Sequence, residues 1–589
     1  MSEMKNKIFI TIGLLFLLFT NDFSQQLTIK RIEMMPNNPT PYVMRDWKEV
    51  ARGYDSIAYS LNATGTYLPL IKIQNNAVNY PGEQFFSLDS YVGTIHKNSG
   101  EAINIIPSLV GATLVGIDKS NQYGYNWVKM SREFFNKKSG ENIYLNAPQT
   151  SSGDDWWYET MPNVLFQHLY KLYPNTPDFN EQFISLADRW LEAVTKMGGS
   201  SAPWAVPNMN HRAWNLIKMT ANDSDVPEPE AAGAIGYLLY NAFLETNEQK
   251  YLIGAEWCME FLNSLNSNPA YEIQLPYGVF TAARMNAEIG TNYDIPKIFN
   301  WSFDLTQLRL WNVIVGKWQT QDVSGIIGED SERQYAFSMN GFQQAGALVP
   351  LVKYDDRFAN AMGKWILNLS NASRLFYSNY VDDLRQDSRI WAKEYDPKSY
   401  IGYEALLKGN TGWATATGDA KKGGWASTNL SLYSSSSVGY LAAIVDTTNI
   451  PMILQLDLNA TDFYRKNNFP SYLIYNPYSE ERTVTIKIPS GTYDIYDLIG
   501  NKFIANSIST EYIISINSVS SSVIMCIPSD ATKEIKNNRL YVNGLVADYN
   551  LGTDVNYPPR IKALSTSEST IKLEKKIIIY CTAFDKENS

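Results

Sequence analysis

From about residue 42 to 448 apolar side chains return every three to four positions, the period of a helix with one buried face. Phe183, Ala187, Trp190, Leu191 and Val194 form one such stripe, and Leu252, Ala255, Met259 and Leu262 a second. Phe358, Met362, Trp365, Ile366 and Leu369 form a third. Each stripe follows a segment that is small and apolar on every side. Ala231, Ala232, Gly233, Ala234, Ile235 and Gly236 open one of these, and Gly341, Ala345, Gly346 and Ala347 lie in another. A helix with no polar face is a buried helix. The alternation predicts antiparallel hairpins, each a buried inner helix followed by an amphipathic outer one, at roughly 154–197, 228–265, 275–303 and 333–369. Further pairs are expected near 46–136 and 403–446. The spacing is too irregular for a short-period solenoid, so a closed ring of hairpins is preferred to an open superhelix.

Beyond residue 449 the period falls to two. Ile453–Leu458, Thr483–Ile488, Tyr493–Leu498 and Ser521–Ile527 alternate, with Ser490-Gly491 as a turn, which predicts a small antiparallel β-sandwich. After Pro558-Pro559, Thr570–Leu573 and Ile577–Cys581 read as two more strands, too few to bury a core alone. The predicted architecture is multidomain, α and β. It comprises an (α/α)6 helical toroid over 25–448, an antiparallel β-sandwich over 449–530, and a linker with the start of an immunoglobulin-like module over 531–589.

Lys5 and Lys7 before the apolar run Ile8–Phe19, with Ser24-Gln25-Gln26 after it, read as a signal peptide over 1–24. The run is too short to span a bilayer and no later one is long enough. An exported protein without a membrane span is expected. The net charge of −10 argues against nucleic acid or an anionic membrane as partner. Cys258, Cys526 and Cys581 make neither a disulfide framework nor a metal site. With 15 tryptophans and 38 tyrosines the chain has flat faces enough for stacking on sugar rings, though a large core would use them too.

In a ring of hairpins the loops entering the inner helices meet at one mouth, so those loops are where carboxylates for glycoside cleavage belong. Three carry them. Asp154 and Asp155 precede Trp156 and Trp157 at a helix start, where capping is the plain alternative. Glu228 and Glu230 alternate with Pro227 and Pro229, where the helix dipole alone favours acids. Glu329, Asp330 and Glu332 crowd beside Arg333, where like charges would raise one carboxyl's pKa. Asp155 and Glu230 are the expected acid/base pair, with Glu329, Asp330 and Glu332 as substitutes. Trp156, Trp157 and Trp214 are expected to stack on sugar. His211 and Arg212 are placed to hold a carboxylate, or else bond their own loop. Tyr277 opens an inner helix, and the glycine- and tryptophan-rich stretch from Gly412-Trp413 to Trp425-Ala426-Ser427 reads as substrate-lining. No metal-ligand spacing, phosphate loop or nucleophile elbow occurs, so neither a metal nor another cofactor is expected.

The hairpin alternation, Asp154-Asp155-Trp156-Trp157 and Pro227-Glu228-Pro229-Glu230 at inner-helix starts, and the strands that follow resemble the six-hairpin (α/α)6 toroid glycosidase superfamily with a C-terminal sandwich. Within it, exo-β-glucuronidases and unsaturated glucuronyl hydrolases look most similar. The resemblance implies a secreted glycoside hydrolase acting on a polysaccharide or oligosaccharide that contains uronic acid. It passes no catalytic residue to this chain position by position. Two rivals stand beside it. A polysaccharide lyase on a similar toroid would use Asn210 or His211 to neutralise a uronate and Tyr277 as base, and a non-catalytic glycan-binding protein would have aromatic loops but no paired acids.

Overall fold

The computed structural model describes residues 25–95, 100–329, 334–550, 557, 560–566 and 578–584. The export signal read at 1–24, the acids Asp330 and Glu332, and the strand expected at 570–573 lie outside them.

Six inner helices form a closed ring: Ala102–Leu114, Trp156–Leu172, Ala231–Thr246, Leu275–Ile289, Ser338–Leu348 and Val438–Ile444. Each packs on the next in chain order, and the sixth packs back on the first. Small residues set how close they come. A Cβ on Gly278 of the fourth helix would lie 2.6 Å from the Cα of Gly233 on the third. At the seam, a Cβ on Gly439 of the sixth would lie 2.2 Å from the Cα of Gly111 on the first. Gly439→Ala is therefore expected to prise the ring open at its seam. Overpacking of this kind costs about 1–3 kcal/mol, to be read as a lowered midpoint of denaturant unfolding.

Outer helices Phe179–Lys196, Gln249–Ser264, Ile295–Trp301 and Ala359–Ala372 follow the second to fifth inner helices, as the stripes predict. Along Phe179–Lys196 the buried residues include Phe183, Ala187, Trp190 and Val194, the stripe read from sequence. The remaining two hairpins differ from expectation. The stretch 403–446 contributes only the sixth inner helix as a wall of the ring, and its outer partner is Trp47–Ala58, which the chain lays down first. The first inner helix is followed not by a long outer helix but by the short turns Trp127–Met130 and Ser131–Phe134, and Trp47–Ala58 packs on it as well.

A second difference lies inside the helical region. Strands Trp311–Val313, Ile327–Glu329, Tyr335–Phe337, Ala405–Lys408 and Ala414–Thr417 form one antiparallel sheet in chain order. Three or four residues are too few to display a period of two, so the sequence reads them as loops.

Behind the ring, Val445–Thr447, Leu454–Asp457, Ser471–Asn476, Ser520–Pro528, Tyr493–Asp497 and Lys502–Ile508 form a sheet in that spatial order. The ribbon of Arg482–Lys487 and Glu511–Ile516 belongs with it, and Ile474, Val484, Ile486, Ile495, Ile514 and Ile524 make their common core. Strands Ser471–Asn476 and Ser520–Pro528 of the sheet also pack on the outer helix Ala359–Ala372.

The loop after strand Leu454–Asp457 plugs the ring. Phe463 stacks on His168 of the second inner helix, centroids 4.2 Å apart. The His168 nitrogens lie 2.9 and 3.0 Å from the hydroxyls of Tyr440 and Tyr237, and burial pushes its pKa down to about 3. Asp462 accepts hydrogen bonds from Lys353 and Tyr354, both at 2.9 Å. Further along, Arg539–Val542 pairs with Lys533–Lys536 and Leu545–Asp548, and Arg560–Thr566 pairs with Ile579–Phe584. Arg560 and Lys562 tie this last pair to Glu256 and Glu260 of an outer helix. Cys258 and Cys526 are buried and Cys581 is exposed, all three as free thiols. No helix among the described residues is long and apolar enough to cross a membrane.

Candidate active site

With one end plugged, the ring opens where its helices begin. Residues at the starts of five inner helices line a cavity of about 420 Å³ there. Glu101 precedes the first helix, Tyr158 lies in the first turn of the second, and Glu272 precedes the fourth. Met339 and Asn340 begin the fifth, and Tyr433 leads into the sixth. The walls are completed by Tyr91, by Arg309, Trp311 and Phe337, and by Glu404, Asp419 and Trp425. Helix N-termini carry partial positive charge, which favours carboxylates at this end.

Three glutamates reach the cavity from separate parts of the chain. Glu404, on strand Ala405–Lys408's leading edge, is buried. Its Oε1 accepts from the Tyr91 hydroxyl at 2.6 Å and its Oε2 from the Asp419 N–H at 2.8 Å. Burial raises its pKa, the charges of Asp419 and Glu101 push the same way, and the two hydrogen bonds pull it back. Glu272 is held by the Arg309 guanidinium, which also bonds Glu329 at 3.1 Å through Nε. Its pKa is raised too, by burial first, against the opposing charge of Arg309. Glu101 accepts from the Ser90 hydroxyl and, at 2.9 Å, from the Asn146 amide. Tyr158 and Trp425 show 41% and 40% of their surface, which leaves their rings free for a ligand's flat face.

The expected acid/base residues stand next to this cavity instead of lining it. Asp155 caps the second inner helix through the Trp157 N–H at 2.9 Å and pairs with Arg212 at 2.5 Å. Burial raises its pKa, against Arg212. Glu230 is fully buried and accepts the N–H groups of Glu272 at 2.5 Å and Leu275 at 3.0 Å. It therefore fixes the loop that carries Glu272, and burial pushes its pKa up to about 7. Glu329 lies half-buried on strand Ile327–Glu329, where Arg309 joins it to Glu272. Asp330 and Glu332 lie outside the described residues.

The expected binding residues are also placed differently. Trp156, Trp157 and Trp214 are 0%, 3% and 5% exposed, so none offers a face to sugar. An inner helix of a ring has core on both flanks, and that is how two adjacent tryptophans are both buried. Arg212 bridges Asp155 and Glu228, which leaves its guanidinium unavailable to a uronate. Glu228, buried beside Asp155, has its pKa pushed up to about 9. His211 bonds Asp223 at 2.7 Å. Tyr277 is buried inside the ring near His168 and Tyr237, its hydroxyl without a hydrogen-bond partner among the described residues. Neither Tyr277 nor His211 lines the cavity.

Sequence reasoning passed over Glu101 and Glu272, although both obey its own rule of an acid just ahead of an inner helix. No helix pattern could have found Glu404, which depends on the unforeseen sheet. Trp425 and Asp419 do fall in the stretch read as substrate-lining.

No family model matches the sequence, and no curated protein matches it either. Among solved structures the chain is similar to a GH127 β-L-arabinofuranosidase from Geobacillus stearothermophilus T6. That alignment has 9% identity, covers 92% of this chain and 96% of that one, and has a TM-score of 0.32. A structure described as a glycoside hydrolase aligns at 9% identity over 75% of this chain and 77% of its own, TM-score 0.34. Another GH127 β-arabinofuranosidase aligns at 9% identity over 87% and 84%, TM-score 0.31.

Proposed function

We propose that this chain is an exported glycoside hydrolase acting on a neutral glycan, with Glu404 as general acid and Glu272 as base or nucleophile. The observation that carries the reading is the convergence of Glu101, Glu272 and Glu404 on one cavity flanked by the exposed rings of Tyr158 and Trp425. Glycoside cleavage needs one carboxyl group to protonate the departing oxygen and another to act on the sugar carbon or on water. The partners suggest the division of labour. Glu404 is buried among negative neighbours, which favour its protonated form against the pull of two neutral hydrogen-bond donors, whereas Glu272 contacts a cation, which favours its carboxylate. Among the described residues Arg309 is the cation of the cavity lining, and Glu272 and Glu329 already bind it. That arrangement supports a neutral sugar over a uronate. Export rests on the sequence at 1–24.

The test is to incubate the purified protein with neutral and acidic oligosaccharides and aryl glycosides, 4-nitrophenyl β-L-arabinofuranoside included. Both new reducing ends and the ultraviolet absorbance of unsaturated products are followed. Reducing ends from neutral substrates, without absorbance, are expected. Absorbance would instead mark a lyase, and binding without turnover a non-catalytic protein.

The assignment of the acid also makes a pH prediction. A raised pKa keeps Glu404 protonated to higher pH, and the alkaline limb of activity follows the loss of that proton. Asp419→Asn removes a charge that raises this pKa and keeps the backbone N–H. The alkaline limb of kcat/KM should therefore move to lower pH. A limb that stays in place or moves upward would count against Glu404 as the acid.

A further inference from the structure

A second cavity, of about 670 Å³, adjoins the first, and Asp419 lines both. The inserted five-stranded sheet runs from one to the other. Its register sets Glu329 opposite both Trp311 and Tyr335, so these three residues form one row across three strands. Phe337 stands on the same face as Tyr335, two residues along. Trp311 and Phe337 line the first cavity, and Glu329 and Tyr335 the second. The half-buried Phe337 and Tyr335 have rings 4.9 Å apart and carry aromatic surface across the boundary, with the buried Trp311 packed beside Phe337 at 5.5 Å. Arg309 spans the same boundary, bonding Glu272 on one side and Glu329 on the other.

The second cavity is polar in the way a sugar's hydroxyls require. Thr417 and the buried Asn429 line it, and its charged residues, Glu329, Asp387 and Asp419 against Lys421 and Lys422, carry no excess of cations for a uronate. The hydroxyl of Tyr335 is buried in its wall and has no hydrogen-bond partner among the described residues. A buried polar atom left unpaired is costly and uncommon in a folded protein, and a ligand hydroxyl would complete it.

We infer that the second cavity is a second sugar-binding subsite, so that the ligand is a neutral oligosaccharide of two or more units laid along the sheet over Phe337 and Tyr335. This deepens the hydrolase reading, on which it rests for the place of cleavage, but its test reads binding alone.

Affinities of gluco-, xylo- and arabino-oligosaccharides of one, two and three units are measured by titration calorimetry on the full-length Glu272→Gln protein. For the series that binds, two units should bind at least about tenfold more tightly than one, a gain of about 1.4 kcal/mol. In Tyr335→Ala, and separately in Thr417→Trp, which fills the cavity from the other wall, the ratio should fall to about one. A ratio near one before substitution, a ratio that survives both variants, or no binding at any length would each overturn the subsite. A length-dependent gain without turnover of the same sugars by the wild type would keep the subsite and sink the hydrolase reading.

Discussion

Glutamine in place of Glu404 should lower kcat/KM by about 10²–10⁴-fold on glycosides with poor leaving groups, the usual contribution of a positioned acid. On activated aryl glycosides, whose phenolate departs unaided, the loss should be much smaller. The contrast follows from what Glu404 can do in the cavity. Its two oxygens face the Tyr91 hydroxyl and the Asp419 N–H, and neither partner is charged. An amide occupies the same volume and keeps a hydrogen bond to each partner within reach, so the loss is chemical and not structural. Glu272→Gln, by contrast, should lose turnover on both kinds of substrate, because the second carboxylate acts at the sugar carbon or on water whatever the leaving group. Equal losses across leaving groups in Glu404→Gln would move the acid to Glu101, the third glutamate of the cavity.

The second large effect lies at the opposite end of the ring. Asp462→Ala should destabilise the protein by about 3–5 kcal/mol, the cost of removing one partner from a buried ion pair. Asp462 is fully buried and accepts from Lys353 and Tyr354 at 2.9 Å, with Arg284 3.7 Å away. Without it Lys353 keeps its charge with no anion, and the loop that anchors the sandwich under the ring loses its hold. Burial alone would raise the Asp462 pKa, but Lys353 and Arg284 outweigh it and the pKa is lowered. A lowered carboxyl contributes stability at neutral pH that is lost as pH falls through its folded value. Asp462→Asn should accordingly show a shallower loss of stability on acidification than the wild type. Denaturant unfolding at several pH values measures both effects, and a change below about 1 kcal/mol at neutral pH would show that the plug is not held this way.

The ring was legible because a closed wall of helices needs inner helices apolar all round, and Ala231–Gly236 can be nothing else. Its closure was less so, since the partner of Val438–Ile444 is Trp47–Ala58, nearly four hundred positions earlier, and periodicity carries no information about pairing at that range. The mouth was located in principle, because the loops ahead of the inner helices do supply Glu101 and Glu272. Choosing among the acids in those loops failed for a physical reason. Asp155, Glu228 and Glu230 are as acidic in sequence as Glu272, but they are consumed by a helix cap, an arginine and two backbone N–H groups. Such satisfaction is decided by packing. Trp156 and Trp157 mislead in the same way, for tryptophan serves a core as readily as a sugar. Glu404 and the pair Phe337 and Tyr335 depend on strands of three or four residues, shorter than any pattern can show.

The most direct measurement of the central claim is turnover of the neutral oligosaccharides by the wild type and by Glu272→Gln and Glu404→Gln side by side, with Asp155→Asn as the comparison. Reducing ends released by the wild type, lost in both cavity glutamate variants and retained to a larger extent in Asp155→Asn, are the predicted result. Full turnover by Glu272→Gln and Glu404→Gln, or loss confined to Asp155→Asn, would contradict it and place the chemistry outside this cavity.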